Sequence, residues 1–177
     1  MEIQVNRNIF QTTIYDIQTE FNLDSTLSFI KNYSFDKEDM LTTFYDCKNI
    51  FDKSEQLNDF YNHLKQYLTM YTKQILNKND FKITRSWIQC YAEGHHHGLH
   101  AHGREIHEHS LIYYIQCSDD STSTTFYQPG HPYCEGPEMN IPPAKNKMVL
   151  FPSYVPHEVK PNKDKSRIVL SANISIL

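Results

Sequence analysis

Histidine is where this sequence departs from an ordinary one. Ten of its 177 residues are His, and His95, His96, His97, His100, His102, His107 and His109 crowd into one short stretch. Iron-group cations are held by imidazole and carboxylate, commonly from three residues on one side that leave the other positions open to reactants. Side chains on a strand repeat every two residues, so a His-x-His step projects both rings the same way. His100-Ala101-His102 is such a step, and a third ligand then has to arrive on a distant strand, for which His157 is the candidate. His107-Glu108-His109 has the same spacing and stays open as an alternative. His95, His96 and His97 read as a solvent-facing loop, and His63 and His131 as structural or surface residues. Cys47, Cys90, Cys117 and Cys134 are widely spaced with no Cys-x-x-Cys pair, so free thiols are expected, a mixed Cys/His zinc site being the lesser alternative.

The elements that must carry these residues follow from hydrophobic periodicity. Residues 10–17 have the β-branched and aromatic content of an edge strand. Asp24-Ser25-Thr26 offers an N-cap for a short helix bearing Leu27, Phe29 and Ile30. A longer amphipathic helix is predicted over 54–76, with Leu57, Phe60, Tyr61, Leu64, Leu68, Tyr71, Ile75 and Leu76 along one face. From Phe81 the pattern changes to short strands, expected at 81–91, 110–117, 123–127, 147–151, 157–160 and 167–176. The last alternates cleanly, with Ile168, Leu170, Ala172, Ile174 and Ile176 on one side and Arg167, Val169, Ser171 and Asn173 on the other. Helices followed by many short strands predict an α+β fold whose body is a β-sandwich or barrel. The proline-rich stretch 128–143 reads equally as a lid over a binding site or an ordinary surface connection.

Several motifs occur in a fixed order: Tyr91-Ala-Glu-Gly94, His100-Ala-His102, Leu111-Ile-Tyr-Tyr114-Ile and Thr124-Thr-Phe126-Tyr-Gln-Pro129. Lys147-Met-Val-Leu-Phe-Pro-Ser153, His157-Glu-Val159 and Arg167-Ile-Val-Leu-Ser171-Ala-Asn173 follow. Together, over residues 86–175, they resemble the iron(II)/2-oxoglutarate-dependent dioxygenases. The likeness is to the prolyl-hydroxylase-like branch and the small oxygenases of phages and bacteria. The resemblance implies a double-stranded β-helix (jelly-roll, cupin-like) core with N-terminal helices packed on the sheet. It implies one domain over 1–177, in which 1–80 is a mainly helical support and 81–177 the core carrying the metal.

In that resemblance His100 matches the first iron ligand and His157 the distal one. His102 stands where relatives usually have a carboxylate, which leaves a three-histidine set or an oxygen ligand from Glu105 or Glu108. Arg167 matches the residue that pairs with the far carboxylate of 2-oxoglutarate, a task suited to its rigid, permanently charged fork. Tyr91 and Tyr114 match tyrosines near the co-substrate, and Ser171 is expected to replace a hydroxyl that relatives carry at the position of Val169. The implied activity is hydroxylation of a second substrate with Fe(II), 2-oxoglutarate and dioxygen. That substrate is a protein or peptide side chain, proline first, or a small metabolite. The alternative is a three-histidine cupin-like metal-binding protein, or a dioxygenase that does not use 2-oxoglutarate.

A net charge of -4 and a pI of about 6.2 argue against a nucleic-acid partner bound through a broad basic surface. Met1 to Asn8 has no apolar core of signal-peptide length, and no later stretch approaches a membrane span. A cytoplasmic protein is therefore expected, in the host cytoplasm if phage-encoded. The N-terminal helices are candidate contacts for a homodimer.

Overall fold

The structure, a computed structural model, describes residues 12–35, 41–130 and 136–177. Met1 to Asn8, Phe10, His131, Tyr133 and Cys134 lie outside the described residues. Two antiparallel sheets form the body. The larger contains β1 (Tyr15–Gln18), β2 (Phe81–Tyr91), β4 (Glu108–Gln116), β7 (Lys147–Pro152) and β9 (Arg167–Ile176), in the order β1-β7-β4-β9-β2. The smaller contains β3 (His97–His100), β5 (Thr124–Tyr127), β6 (Glu138–Ile141) and β8 (His157–Val159), in the order β3-β8-β5-β6. This is an α+β protein with a double-stranded β-helix, as expected. Sequence periodicity located the ends of β2 and β9 as observed, and β1 is the edge strand expected near 10–17. It did not locate β3 or β6. Residues 138–141, expected within a turn-rich loop, form β6 and pair with β5.

The central strands of the larger sheet are buried on both faces. Along β4, Leu111, Tyr113 and Ile115 join the core beneath the helices, while Ile112 and Tyr114 join the core between the sheets. Strand β7 divides the same way, Met148 and Leu150 against Val149 and Phe151. On β9 all five alternating apolar residues from Ile168 to Ile176 face the helical core, which frees Arg167, Val169 and Ser171 for the interior. Double-sided burial makes these strands nearly continuous apolar runs, and it gives them no slack in register, since a one-residue slip would exchange the two cores.

The helical layer is built from α1 (Asp24–Asn32) and α2 (Asn58–Met70). Helix α1 starts without the expected side-chain cap. The residue before it is Leu23, and the Asp24 amide instead donates to the Asn22 side chain at 2.9 Å. The long helix is composite. Short 3-10 turns at Ile50–Lys53 and Glu55–Leu57 lead into it, with the Ser54 hydroxyl accepting from the Gln56 amide. A π-turn at Tyr71–Ile75 ends it. The extra residue in that turn rotates the face, so Tyr71 and Thr72 are both buried whereas Ile75 is about half exposed. Ile75 therefore leaves the apolar stripe on which periodicity had placed it. Phe60, Leu64 and Leu68, spaced at four residues, carry the contact with the sheet.

Leu64 is 1% exposed in that contact. Leu64→Ala is expected to cost about 2–5 kcal/mol through lost burial and a residual cavity. Urea denaturation measures this, and a loss below about 1 kcal/mol would show that the helix does not anchor the sheet.

Candidate metal centre

The smaller sheet brings two histidines together by register. His100, the last residue of β3, lies directly across the ladder from His157, the first residue of β8. His102 is beyond the end of β3, so strand alternation does not place it. Instead its backbone N–H donates to the Ser153 carbonyl at 2.9 Å, and the Gly103 N–H donates to the same oxygen at 3.2 Å. Ser153 is itself fastened to β4 through its N–H to the Glu108 carbonyl and its hydroxyl to Ser110, 2.8 Å away. Gly103 leaves room here for the Glu108 carboxylate, which a Cβ would displace.

One ligand atom from each of His100, His102 and His157 lies within 4.8 Å of the others. Among the described residues this is the one such group of His, Cys, Asp or Glu. His100 Nδ1 is 2.7 Å from the Gly98 carbonyl and His157 Nδ1 is 3.0 Å from the Val155 carbonyl. A carbonyl only accepts, so both rings carry their proton on Nδ1 and present a bare Nε2. Phe151 and Phe126 pack against the His157 ring at 4.9 and 5.7 Å, and Trp87 against that of His102 at 5.5 Å. Burial, and the neighbouring imidazoles after it, lower the pKa of His102 to about 3 and that of His157 well below its ordinary value. Burial also lowers that of His100. All three are thus neutral near pH 7, the form a metal requires.

Arg167 is buried in the same cavity, only 1% exposed. Its Nη2 donates to the Thr124 hydroxyl at 2.9 Å, and that oxygen is 2.8 Å from the Tyr114 hydroxyl. The guanidinium carbon sits 4.8 Å from the centre of the Tyr91 ring and 5.3 Å from that of Tyr114. Nε and Nη1 have no hydrogen-bond partner, and no carboxylate among the described residues pairs with the charge. Burial pushes the Tyr91 hydroxyl up to about 12, with the Arg167 charge pulling the other way, so it stays a neutral phenol. Ser171 lines the cavity; Tyr114 reaches it through Thr124. The space among these residues is partly enclosed and partly open to solvent.

Other sequence readings are corrected. Glu108 is not gathered into the histidine group; its Oε2 accepts from the Arg104 and Glu105 amides at 3.1 and 3.3 Å, and Glu105 is exposed. His109 is buried on the helical side of β4, its ring 5.7 Å from that of Tyr71. His97 is solvent-exposed, as expected, but it lies in a strand and not in a loop. It begins β3, stacks on the His100 ring at 4.0 Å and 17°, and lines the cavity. A register shift between His97 and His100 explains why residues of opposite strand parity share a face. His63 is structural, as expected, between Thr19 and Phe21.

Residues 85–173, just over half of the chain, match the family described as "Putative 2OG-Fe(II) oxygenase". The chain belongs to this family. Its cofactors are iron(II) and 2-oxoglutarate, which makes the protein a non-haem iron oxygenase. No curated protein sequence matches. Among solved structures, a 2OG-Fe(II) oxygenase family oxidoreductase from Burkholderia pseudomallei is 17% identical with a TM-score of 0.50. That alignment covers 64% of this chain and 56% of that one. A prolyl-4-hydroxylase from Pseudomonas putida is 16% identical over 92% of this chain and 91% of its own, with a TM-score of 0.60. HygX from Streptomyces hygroscopicus, solved with iron bound, is 10% identical over 93% and 82%, with a TM-score of 0.66. At these identities the likeness concerns the fold. The cofactors fit on chemistry of this chain's own: three neutral imidazoles converge for a divalent cation, and an orphaned buried guanidinium faces the same space for a carboxylate.

Two outcomes follow for the metal-free protein. Arg167→Met removes a buried charge that lacks a counter-ion, so the unfolding free energy should rise by about 1–4 kcal/mol; a fall would mean that the charge is compensated. The depressed histidines set the pH dependence. Below their ordinary value of 6.5 the unfolded chain takes up protons that folded His102 refuses down to about 3. Stability is therefore present above 6.5 and lost as pH falls through that window. Urea midpoints at pH 7.5 and 5 test this, and equal midpoints would contradict it.

Proposed function

We propose that this protein is an Fe(II)- and 2-oxoglutarate-dependent dioxygenase that hydroxylates a protein or peptide side chain or a small metabolite. In this reading His100, His102 and His157 hold the metal, and Arg167 receives the far carboxylate of 2-oxoglutarate, with Thr124, Tyr91, Tyr114 and Ser171 around it. One observation carries the assignment. The guanidinium of Arg167 is buried with two unpaired nitrogens in the cavity that the three histidines line. A protein that only held metal would leave that charge without a partner, and the family match favours 2-oxoglutarate over another carboxylate as the partner, so the cupin-like alternative comes second.

Bound iron supplies the oxygen chemistry, coupling decarboxylation of 2-oxoglutarate to succinate with oxidation of a C–H bond by dioxygen. The chain's own groups do the rest. Nδ1–H donation from His100 and His157 to backbone carbonyls fixes the rings and aims their Nε2 atoms. Thr124 holds one edge of the Arg167 fork and leaves Nε and Nη1 for a carboxylate. Phe126, Phe151 and Val169 wall the interior with apolar surface that excludes water. The prolyl-4-hydroxylase likeness favours a peptide substrate. No helix among the described residues is long and apolar enough to cross a membrane, which suits a cytoplasmic setting. Residues 1–80 serve as support and 81–177 as the working core, with the helical layer available for a homodimer contact.

Anaerobic addition of Fe(II) and 2-oxoglutarate should give a visible charge-transfer band, and admission of air should yield succinate. His157→Ala should lose the band at any 2-oxoglutarate concentration. Arg167→Met should keep metal affinity but weaken 2-oxoglutarate roughly 30-fold or more, as expected for truncating one partner of a buried charge pair. A wild-type protein that binds iron tightly yet shows neither band nor succinate would sink the proposal.

A further inference from the structure

Charge separates this pocket from one with a carboxylate among its ligands. Imidazoles bind metal as neutral groups, so His100, His102 and His157 contribute no negative charge. Among the described residues that line the cavity there is no aspartate or glutamate, and the single fixed cation is Arg167. The nearby acids are engaged elsewhere. Glu108 accepts from the Arg104 and Glu105 amides, and Glu158 accepts from the Tyr127 hydroxyl. A divalent metal and Arg167 together bring three positive charges, of which 2-oxoglutarate neutralises two. One is left over in a space walled by Phe151, Val159 and Val169, where the low local dielectric keeps it strong.

On the reading proposed above, we infer that the pocket takes a second, singly anionic ligand beside 2-oxoglutarate, and that this ligand is the substrate, an organic molecule or side chain carrying a carboxylate. The missing protein carboxylate is supplied by what the protein binds. His97 adds to the fit. It stands beside His100 on the same wall of the cavity and brings no acid to it. The chain as a whole is acidic at a net charge of -4, so attraction of an anion is a property of this pocket and not of the overall surface.

The test uses the anaerobic complex of the whole protein with Fe(II) and 2-oxoglutarate, read by its visible band. It is titrated separately with acetate, N-acetylglycine, chloride and the neutral analogue acetamide. Acetate and N-acetylglycine should perturb the band at concentrations at least about tenfold below acetamide, with 2-oxoglutarate retained on equilibrium dialysis. In His102→Asp, which returns a negative charge to the ligand set, that preference should shrink to about threefold or less. Equal responses to acetate and acetamide in the wild type, or displacement of 2-oxoglutarate by acetate, would overturn the inference. So would a response to chloride with none to either carboxylate, which would assign the surplus charge to an inorganic ion. If His102→Asp does not hold iron, the wild-type comparison decides alone. Failure of the band to form at all defeats the 2-oxoglutarate reading itself, and is seen before any anion is added.

Discussion

A guanidinium buried without a counter-charge is the constraint around which this structure is arranged. Arg167 is as inaccessible as the core leucines, yet only one of its terminal nitrogens is paired. Left alone, such a group opposes folding by several kcal/mol. Two devices reduce the cost without removing it. The faces of Tyr91 and Tyr114 offer cation–π attraction, and the Thr124 hydroxyl takes one hydrogen bond. What remains must be met by favourable burial elsewhere, and the helical layer supplies it. The cluster that joins Phe60, Leu64 and Leu68 to Leu111, Tyr113, Leu170 and Ile174 contains no charged side chain and is buried throughout. The apolar core and the polar cavity are thus opposite faces of the same sheet.

Strand β9 shows how closely the two are coupled. Its even-numbered residues join the helical core while Arg167, Val169 and Ser171 reach the cavity, so the register that buries Ile168 is the register that points Arg167 inward. Pairing with both β2 and β4 locks that register from two sides. The smaller sheet is under looser control. Its edges, β3 and β6, are four residues long and largely exposed, and β3 contains a register shift. Irregularity at a sheet edge is what lets His97 and His100 share a face and lets the chain turn away to deliver His102.

Legibility in the sequence followed the same division. Strands β2 and β9 could be bounded from periodicity because long alternating runs leave little choice of register. The pairing of His100 with His157 was legible only from the order of motifs, since no local pattern shows that two strands more than fifty residues apart are ladder partners. Strand β3 was missed because His97-Gly98-Leu99-His100 has no apolar alternation and lies at an edge. Thr124 went unassigned for a different reason. Its role comes from meeting an arginine 43 residues away, and a threonine opening a strand is ordinary in itself. The π-turn was equally invisible, since helical periodicity runs through Ile75 without a break while the backbone does not.

His102 joins these threads. Of the three proposed ligands it is the one least determined by the strand framework, held by a serine carbonyl and a glycine that makes room for Glu108. A carboxylate lies close by in Glu108, yet its oxygen is spent on the amides of the loop it closes. The fold thus keeps an acid near the site and out of it. With a histidine at this proposed ligand position, the centre has a neutral donor in place of a negatively charged one. Backbone hydrogen bonds decide where the third ring stands, and residue type alone decides the charge of the site. For that reason the electrostatic character of the pocket depends on the residue type at this one position, and it bears directly on what the pocket will accept.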